Sequence, residues 1–391
     1  MTVGVPAELY PGERRVALVP KLVPALVKAG LEVQVEKGAG DQAGFPDQAY
    51  EERGTSLTTS REELFATADV ILQVHGVGSY PETGQADLKA VRPDQVVIGL
   101  FNPLGAPETA SRLAETGVRA FALELLPRIS RAQSMDVLSS MATIAGYKAV
   151  LLAAEALHKI FPMMITAAGT LAPAKVFVVG AGVAGLQAIA TSRRLGAAVQ
   201  AYDVRPAVRE QVESLEAKFL EIELAAEDGE GSGGYAKAMD EDFYRRQREM
   251  MRQVVAESDV VITTAAIPGK KAPILITKEM IEGMHPGSVI LDLAAEGGGN
   301  CELTQPGQTV ETHGVTILGP VNLPSTIPYH ASQMYAKNIT TFLNNMVDDG
   351  QLHLNLEDEI IRGSLLTYNG EVYNNQVREL LGLAPSPVVN Q

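Results

Sequence analysis

The chain has 391 residues, 46% of them hydrophobic and 20% charged, which excludes a disordered or fibrous polypeptide. At about 150 residues per domain this length implies two domains, with a third possible. Acidic side chains number 47 against 32 basic ones, and a formal charge of −15 repels phosphate backbones and anionic lipid, so nucleic acid is excluded as a partner.

The N-terminal MTVGVPAELYPGERR places carboxylates and a proline where a signal peptide needs an apolar core. Strands and helices then alternate. Val3–Val5 is a short apolar run, Lys21–Ala29 is helical, and Glu32–Glu36, Val70–Val74, Val96–Leu100 and Arg119–Leu123 read as strands. Ser134–His158 carries apolar residues at helical spacing and reads as one long joining helix. The most apolar stretches, Ile160–Ala174 and Val176–Ser192, are broken by Pro162, Pro173, Lys175 and glycines, so neither supplies the roughly 20 residues of a spanning helix. The chain is therefore expected to be soluble, without direct membrane insertion. A second strand series follows at Lys175–Val179, Val199–Asp203, Asp259–Thr264, Ser288–Leu293 and Val315–Leu318, and Ser332–Met346 is again helical.

Such alternation predicts an α/β protein with mainly parallel sheets covered on both faces. We expect two Rossmann-like doubly wound domains, separated by a cleft and joined by long helices. The first is discontinuous, residues 1–137 plus 328–391, and the second, residues 138–327, is inserted within it. Glu227–Gly234, EDGEGSGG, has too many glycines to hold a packed conformation and reads as a mobile loop leading to Tyr235 and Lys237.

The strongest motif is Lys175-Val-Phe-Val-Val-Gly180-Ala-Gly182-Val183-Ala-Gly185, a buried strand meeting G-x-G-x-x-G and then a helix. Gly180 permits the tight turn, Gly182 lets the backbone approach a pyrophosphate, and Gly185 lets helix and strand pack closely. The helix start at Val183 offers unpaired N–H groups and a partial positive charge. The next strand ends at Asp203, 18 residues past Gly185, where a carboxylate binds the adenosine ribose and repels a 2′-phosphate. NAD(H) is expected rather than NADP(H), although Arg205, just past Val204, could in principle favour a phosphate. The Thr264-Ala265-Ala266-Ile267-Pro268-Gly269 loop lies at the carboxyl edge of the sheet, where backbone contacts to a cofactor are expected, and it reads equally as a simple Pro-Gly turn.

Cys301, the single cysteine, excludes an intramolecular disulfide and a multi-cysteine metal site; it fits a reducing compartment and reads as structural. His158, His285, His313, His330 and His353 lack ligand spacing, so no metal is expected.

Three segments carry a family resemblance: Pro127-Arg128-Ile-Ser-Arg131-Ala-Gln133-Ser-Met-Asp136-Val-Leu-Ser139-Ser140, the glycine-rich turn, and Gly-Gly234-Tyr235-Ala-Lys237. Together they resemble domain I of proton-translocating NAD(P) transhydrogenase, from Thr2 to about Tyr373. The resemblance implies an oxidoreductase of the Si-specific/Re-specific type, in which NAD(H) binds here and hydride passes to NADP(H) on a partner domain. It implies activity only with partner subunits, membrane-spanning subunits that couple the transfer to proton movement, a homodimer through the nucleotide domains, and a cytoplasmic location attached peripherally to the inner membrane. By matching position, Arg128, Asp136 and Ser139 would hold the nicotinamide end beside Arg131, Gln133 would guide it, and Gly234 and Tyr235 would close over it. A plainer reading stays open: Arg128, Arg131 and Asp136 form an ion-pair network at a helix start capped by Ser134.

The N-terminal Pro6-Ala-Glu8…Glu13-Arg14-Arg15 is also similar to alanine dehydrogenase, more distantly. That family uses a lysine, a histidine and an aspartate where this chain has His75, Asn102 and Glu296, so the groups for reductive amination are gone. Arg15 reads as a relic of a carboxylate clamp. Three functions remain: a hydride-transfer subunit, a self-contained NAD-dependent amino- or keto-acid dehydrogenase, and a non-catalytic NAD(H) sensor.

Overall fold

The computed structural model describes residues 1–80, 84–221, 241–266 and 269–386. The chain divides into two compact units, Met1–Met141 with Pro324–Gln391, and Ala142–Leu323. Gly234, Tyr235 and Lys237 of the glycine-rich loop, and Ile267 and Pro268, lie outside the described residues.

The first unit is built on an eight-stranded sheet. Its six parallel strands lie in the order 56–58, 32–36, 2–5, 70–75, 96–100 and 119–122, so the first strand in sequence sits mid-sheet and the chain winds outward both ways. Val3 pairs with both Val33 and Val70 across this centre. Two antiparallel strands, Leu365–Tyr368 and Glu371–Val372, extend the 119–122 edge. The reason is legible in the chain: Asn369 and Gly370 have φ of 50° and 77°, the geometry of a two-residue hairpin turn. The helix Pro328–Asn344 packs on this sheet; Tyr335 donates its hydroxyl to the Gln73 carbonyl at 2.8 Å, and Phe342 meets Phe121.

The second unit repeats the order. Strands 218–219, 198–202, 175–179, 260–263, 289–292 and 315–318 are parallel, and 309–312 closes the edge antiparallel through a His313-Gly314 turn. The strand Lys175–Val179 is buried on both faces. Val176 and Val178 pack with Ala149, Val150 and Ala153, while Phe177 and Val179 pack with Met251 and Val255. Each such side chain contributes about 1.5–3 kcal/mol by leaving water. Mixed α/β architecture with parallel sheets in two domains is thus as expected.

Several elements differ from the sequence reading. The joining helix runs Val137–Ala156, not 134–158, because a 3-10 turn over Ser130–Met135 precedes it. Among the described residues this is the helix long and apolar enough to cross a membrane by length and composition, a stretch the sequence reading passed over for its neighbours. Its alanines explain the composition: Ala149 and Ala153 are fully buried, and Gly146 lies so close to the Ala184 carbonyl that a Cβ would stand 2.2 Å from the oxygen. The helix expected at Ser332 begins at Pro328, whose ring suits a first helical position. Met164–Thr166 and Gly169–Leu171 form an unexpected hairpin whose six residues are all exposed.

Candidate functional site

The strand Lys175–Val179 delivers the chain into Gly180 at φ 97°, a conformation that a side chain would strain. Gly185 is the tighter requirement. A Cβ there would stand 1.8 Å from the Gly180 carbonyl oxygen, so helix Val183–Arg194 seats against the turn only because that position is bare. Gly182 is different: an added Cβ would meet nothing within 4 Å. Nothing among the described residues demands glycine there, and the open face leaves the backbone approachable. Gly182 is also the helix N-cap with no side-chain hydrogen bond, which leaves first-turn N–H groups for an anion, and Val183 beside it is exposed. The turn and its open face fit a dinucleotide pyrophosphate.

Asp203 closes the next strand. Its Oδ2 accepts the Ala181 N–H at 2.8 Å, tying the glycine-rich turn to the neighbouring strand end. Arg205 lies across the same carboxylate, with Nε to Oδ1 and Nη2 to Oδ2, both at 2.9 Å. Arg205 is therefore turned onto Asp203, and Val204 sits between them.

The next strand end holds Thr264 and Ala265. Thr264 Oγ1 donates to the Gly180 carbonyl at 3.1 Å. Ala265 is gripped by a residue that the sequence reading did not single out: Asn300 accepts the Ala265 N–H at 2.9 Å and returns Nδ2 to the Ala265 carbonyl at 2.7 Å. Asn300 is in turn set by Asp292, fully buried, which accepts from the backbone N–H groups of Ala294, Asn300 and Cys301 and the hydroxyls of Thr263 and Thr304. The signal was present in Asp292 ending a buried strand and in the Gly-Gly-Gly-Asn300 turn, but the long-range partner was not. Ala266 is exposed beside this anchor. Cys301 is buried, and burial pushes its thiol up, consistent with a structural residue.

In the first unit, Arg131 and Gln133 are exposed along the 3-10 turn, which Ala132 and Met135 anchor by burial, and Arg128 is exposed two residues before it. Asp136 caps the joining helix, accepting from the Ser139 N–H at 2.9 Å and the Ser139 hydroxyl at 2.6 Å. Ser134, the expected cap, instead offers its carbonyl to Asn338. Arg131 pairs with Asp358, not with Asp136, and that guanidinium lowers the Asp358 carboxyl. The structure therefore brings Asp136 and Ser139 together and sets Arg131 on a separate ion pair.

The strand ends facing His75 hold a denser cluster. Arg15 clamps Glu13 with Nε to Oε1 at 2.8 Å and Nη2 to Oε2 at 2.6 Å, and His75 Nε2 lies 2.9 Å from the same Oε2. Burial opposes charge here, yet Arg15 and His75 hold the Glu13 carboxyl well below the usual carboxylate range. Tyr10 stacks on His75 at 4.3 Å. Glu8 accepts the Val74 and His75 N–H groups, and burial pushes its carboxyl up to about 7. Glu124 accepts the Phe101 and Asn102 N–H groups and is likewise raised by burial to about 7. In the other unit, Glu296 accepts the Asn322 N–H. Among the described residues no group of three or more histidine, cysteine or carboxylate side chains is arranged to hold a metal ion.

This pairing of two doubly wound units, one with an open dinucleotide turn, defines a pyridine-nucleotide oxidoreductase architecture, and the comparisons agree. Residues 4–145 match the alanine dehydrogenase/PNT N-terminal domain and residues 149–375 the alanine dehydrogenase/PNT C-terminal domain. The chain belongs to the alanine dehydrogenase/PNT family. It is 45% identical to an NAD(P) transhydrogenase alpha-subunit chain of Rhodospirillum rubrum over 95% of this chain and 97% of that one. Alanine dehydrogenase of Bacillus subtilis is 29% identical over 98% of this chain and 95% of that one. Among solved structures, the transhydrogenase of Sinorhizobium meliloti superimposes with a TM-score of 0.86 at 46% identity, covering 95% of this chain and 100% of that one. An L-alanine dehydrogenase superimposes at 0.81 with 26% identity, covering 98% and 99%. The resemblance read from the sequence, near to transhydrogenase and farther from alanine dehydrogenase, is borne out.

Proposed function

We propose that this chain is the NAD(H)-binding component of a proton-translocating NAD(P) transhydrogenase. One contrast carries the reading: the second unit leaves the centre of its strand edge open around Gly182, while the first unit fills its own with Glu8, Glu13, Arg15 and His75. When bound, NADH supplies the hydride that NADP+ on a partner domain receives. The turn at Gly180, Gly182 and Gly185 and the helix start at Val183 hold the pyrophosphate. Asp203, with Val204 and Arg205, takes the adenosine ribose, and the backbone of Ala265 and Ala266 flanks the nicotinamide side. Arg128, Asp136 and Ser139 orient the carboxamide beside Arg131, Gln133 follows the ring, and Gly234 and Tyr235 cover the nucleotide. Direct transfer between two rings asks for no acid or base here; the chain contributes positioning and exclusion of water.

A self-contained amino- or keto-acid dehydrogenase would need a free carboxylate anchor, and Arg15 is occupied by Glu13. In this reading the chain docks on membrane-spanning subunits that couple the transfer to proton movement, lies on the cytoplasmic face of the inner membrane, and shows Si-specific/Re-specific transfer. It also works as a homodimer through the nucleotide unit. There Met163, Ile165 and Leu171 are 59%, 76% and 51% exposed on or beside the Met164–Leu171 hairpin, next to a hollow of about 590 Å³ lined by Leu157, Phe161, Pro162 and Leu195. Light scattering should find twice the chain mass, falling to one chain on Ile165→Asp.

Stopped-flow mixing of the chain, NADH and an NADP(H)-binding partner tests the central claim. Hydride exchange is expected, and its absence with a competent partner sinks the reading. Gln133→Asn should slow transfer while nucleotide affinity stays, whereas an NAD(H) sensor has no rate to lose.

A further inference from the structure

Asn300 is fully buried, and its side chain commits its carbonyl oxygen and both N–H donors to the backbone of other residues. Oδ1 accepts the Ala265 N–H at 2.9 Å, while Nδ2 donates to the Ala265 carbonyl at 2.7 Å and to the Pro273 carbonyl at 2.9 Å. The backbone of Asn300 is committed too. Its N–H goes to Asp292 Oδ2 at 2.7 Å, and its carbonyl accepts the Leu275 and Ile276 N–H groups at 2.7 and 3.0 Å. The last register pair between strands 260–263 and 289–292 is Thr263 with Asp292. Past that point the Asn300 amide stands where a neighbouring strand would, gripping Ala265 by both its backbone groups. The same segment is tied to the glycine-rich turn, since the Thr264 N–H donates to the Val179 carbonyl at 2.9 Å and Thr264 Oγ1 to the Gly180 carbonyl at 3.1 Å.

We infer that Asn300 is a positioning residue for hydride transfer: held by Asp292, it fixes the Ala265 peptide and with it the backbone on the nicotinamide side. The inference rests on the proposed hydride-transfer reading, in which Ala265 and Ala266 flank the nicotinamide. Ala265 has only a methyl group to pack, so its backbone bonds set where it stands. With its N–H taken by Asn300, Ala265 acts on a cofactor through placement and not by donating a hydrogen bond. Placement is what a direct transfer needs, because a displacement of about 1 Å can cost on the order of 100-fold in rate. Asp292 supplies the rigidity, being fully buried and bonded to three backbone N–H groups and two hydroxyls, none of which belongs to the Asn300 side chain. Truncating that side chain therefore frees Ala265 while leaving the support behind it in place.

The test compares the wild-type chain with Asn300→Ala in two measurements. One is the single-turnover rate of hydride transfer to an NADP(H)-binding partner at saturating NADH. The other is the dissociation constant of ADP-ribose, which has the adenosine, pyrophosphate and second ribose of NADH but no nicotinamide. Asn300→Ala should slow transfer about 10- to 100-fold and leave ADP-ribose affinity within about twofold. If that variant fails to fold, Asn300→Asp serves, since it has the same size and keeps an acceptor for the Ala265 N–H while losing both donors; transfer should again slow with ADP-ribose affinity kept. A role confined to stability would not move the rate at saturating NADH. An unchanged rate in a folded variant, or a loss of ADP-ribose affinity as large as the loss of rate, overturns the positioning role and leaves the hydride-transfer reading standing. A wild-type chain that exchanges no hydride with a competent partner overturns that reading and the inference with it.

Discussion

The two units share one strand order and treat its centre in opposite ways. In both, the first strand of the unit lies beside the fourth, and the carboxyl edge between them is where ligands bind in doubly wound sheets. The nucleotide unit meets that edge with Gly180, Gly182 and backbone amides, and spends its side chains, Asn300 and Asp292, on bracing the loops from behind. The other unit meets it with Glu8, which reaches across to the Val74 and His75 amides, and with the Glu13–Arg15–His75 cluster. One edge exposes unpaired donors; the other has supplied its own acceptors. A shared fold thus says where a site stands, and the side chains at the edge say whether it is open.

The largest perturbation of this contrast is Glu13→Gln. It leaves Arg15, 4% exposed, without the carboxylate that neutralises it. Breaking one side of a buried pair costs about 3–5 kcal/mol. Urea unfolding should show that loss, with NADH affinity within about twofold of wild type. A loss of NADH affinity instead would make the cluster part of the nucleotide site and erase the contrast.

Next come the two glycines of the open edge, which separate fold from ligand. Gly185→Ala drives a Cβ to 1.8 Å from the Gly180 oxygen, and such overpacking costs about 1–3 kcal/mol and displaces the helix, so NADH binding should weaken sharply. Gly182→Ala meets open space, so stability should hold within about 0.5 kcal/mol while NADH affinity falls about tenfold or more. Equal affinity losses matched by equal stability losses would show that Gly182 is structural and that its open face is not a phosphate seat.

The open edge was legible in the sequence because its requirements are local: strand, G-x-G-x-x-G, helix, then Asp203. The closed edge was legible only as two replaced residues, His75 and Asn102, and as Arg15 read for a relic of a carboxylate clamp. That Glu13 would fill Arg15 depends on a strand-end turn bringing neighbours two residues apart into a buried fork, and His75 joins them from 62 residues away. Asn300 and Ala265 are 35 residues apart and meet for the same reason, that parallel strands bring distant termini together. The hairpins were a different kind of miss. Asp349-Gly350 and Asn369-Gly370 are two-residue turn signals with both residues at positive φ, and the sequence reading assigned no element beyond Met346. At Arg131 and Asp136 the residue types admitted an ion-pair network, but Asp358, more than two hundred residues on, took the arginine.

The smallest expected effect asks what the closed edge costs with pH. Burial raises Glu8 from 4.5 to about 7, with Glu13 adding to the rise and His75 opposing it. A folded pKa above the unfolded one means that folding takes up a proton. The stability from this group is therefore fully present below about 4.5 and is lost as pH rises through 7. Glu124 behaves alike. Glu13 has the opposite sign: its lowered carboxyl stabilises above the unfolded pKa and loses that contribution only in acid, so it does not mask the window between 5 and 8. Unfolding free energy, followed by urea midpoints at several pH values, should fall across that window by on the order of 2 kcal/mol for each of the two carboxyls. Glu8→Gln should remove about half of the slope, leaving the Glu124 part, because glutamine keeps an acceptor for the strand-end amides without a proton to lose. An unchanged slope would place the Glu8 carboxyl in contact with water, and the edge would be open after all.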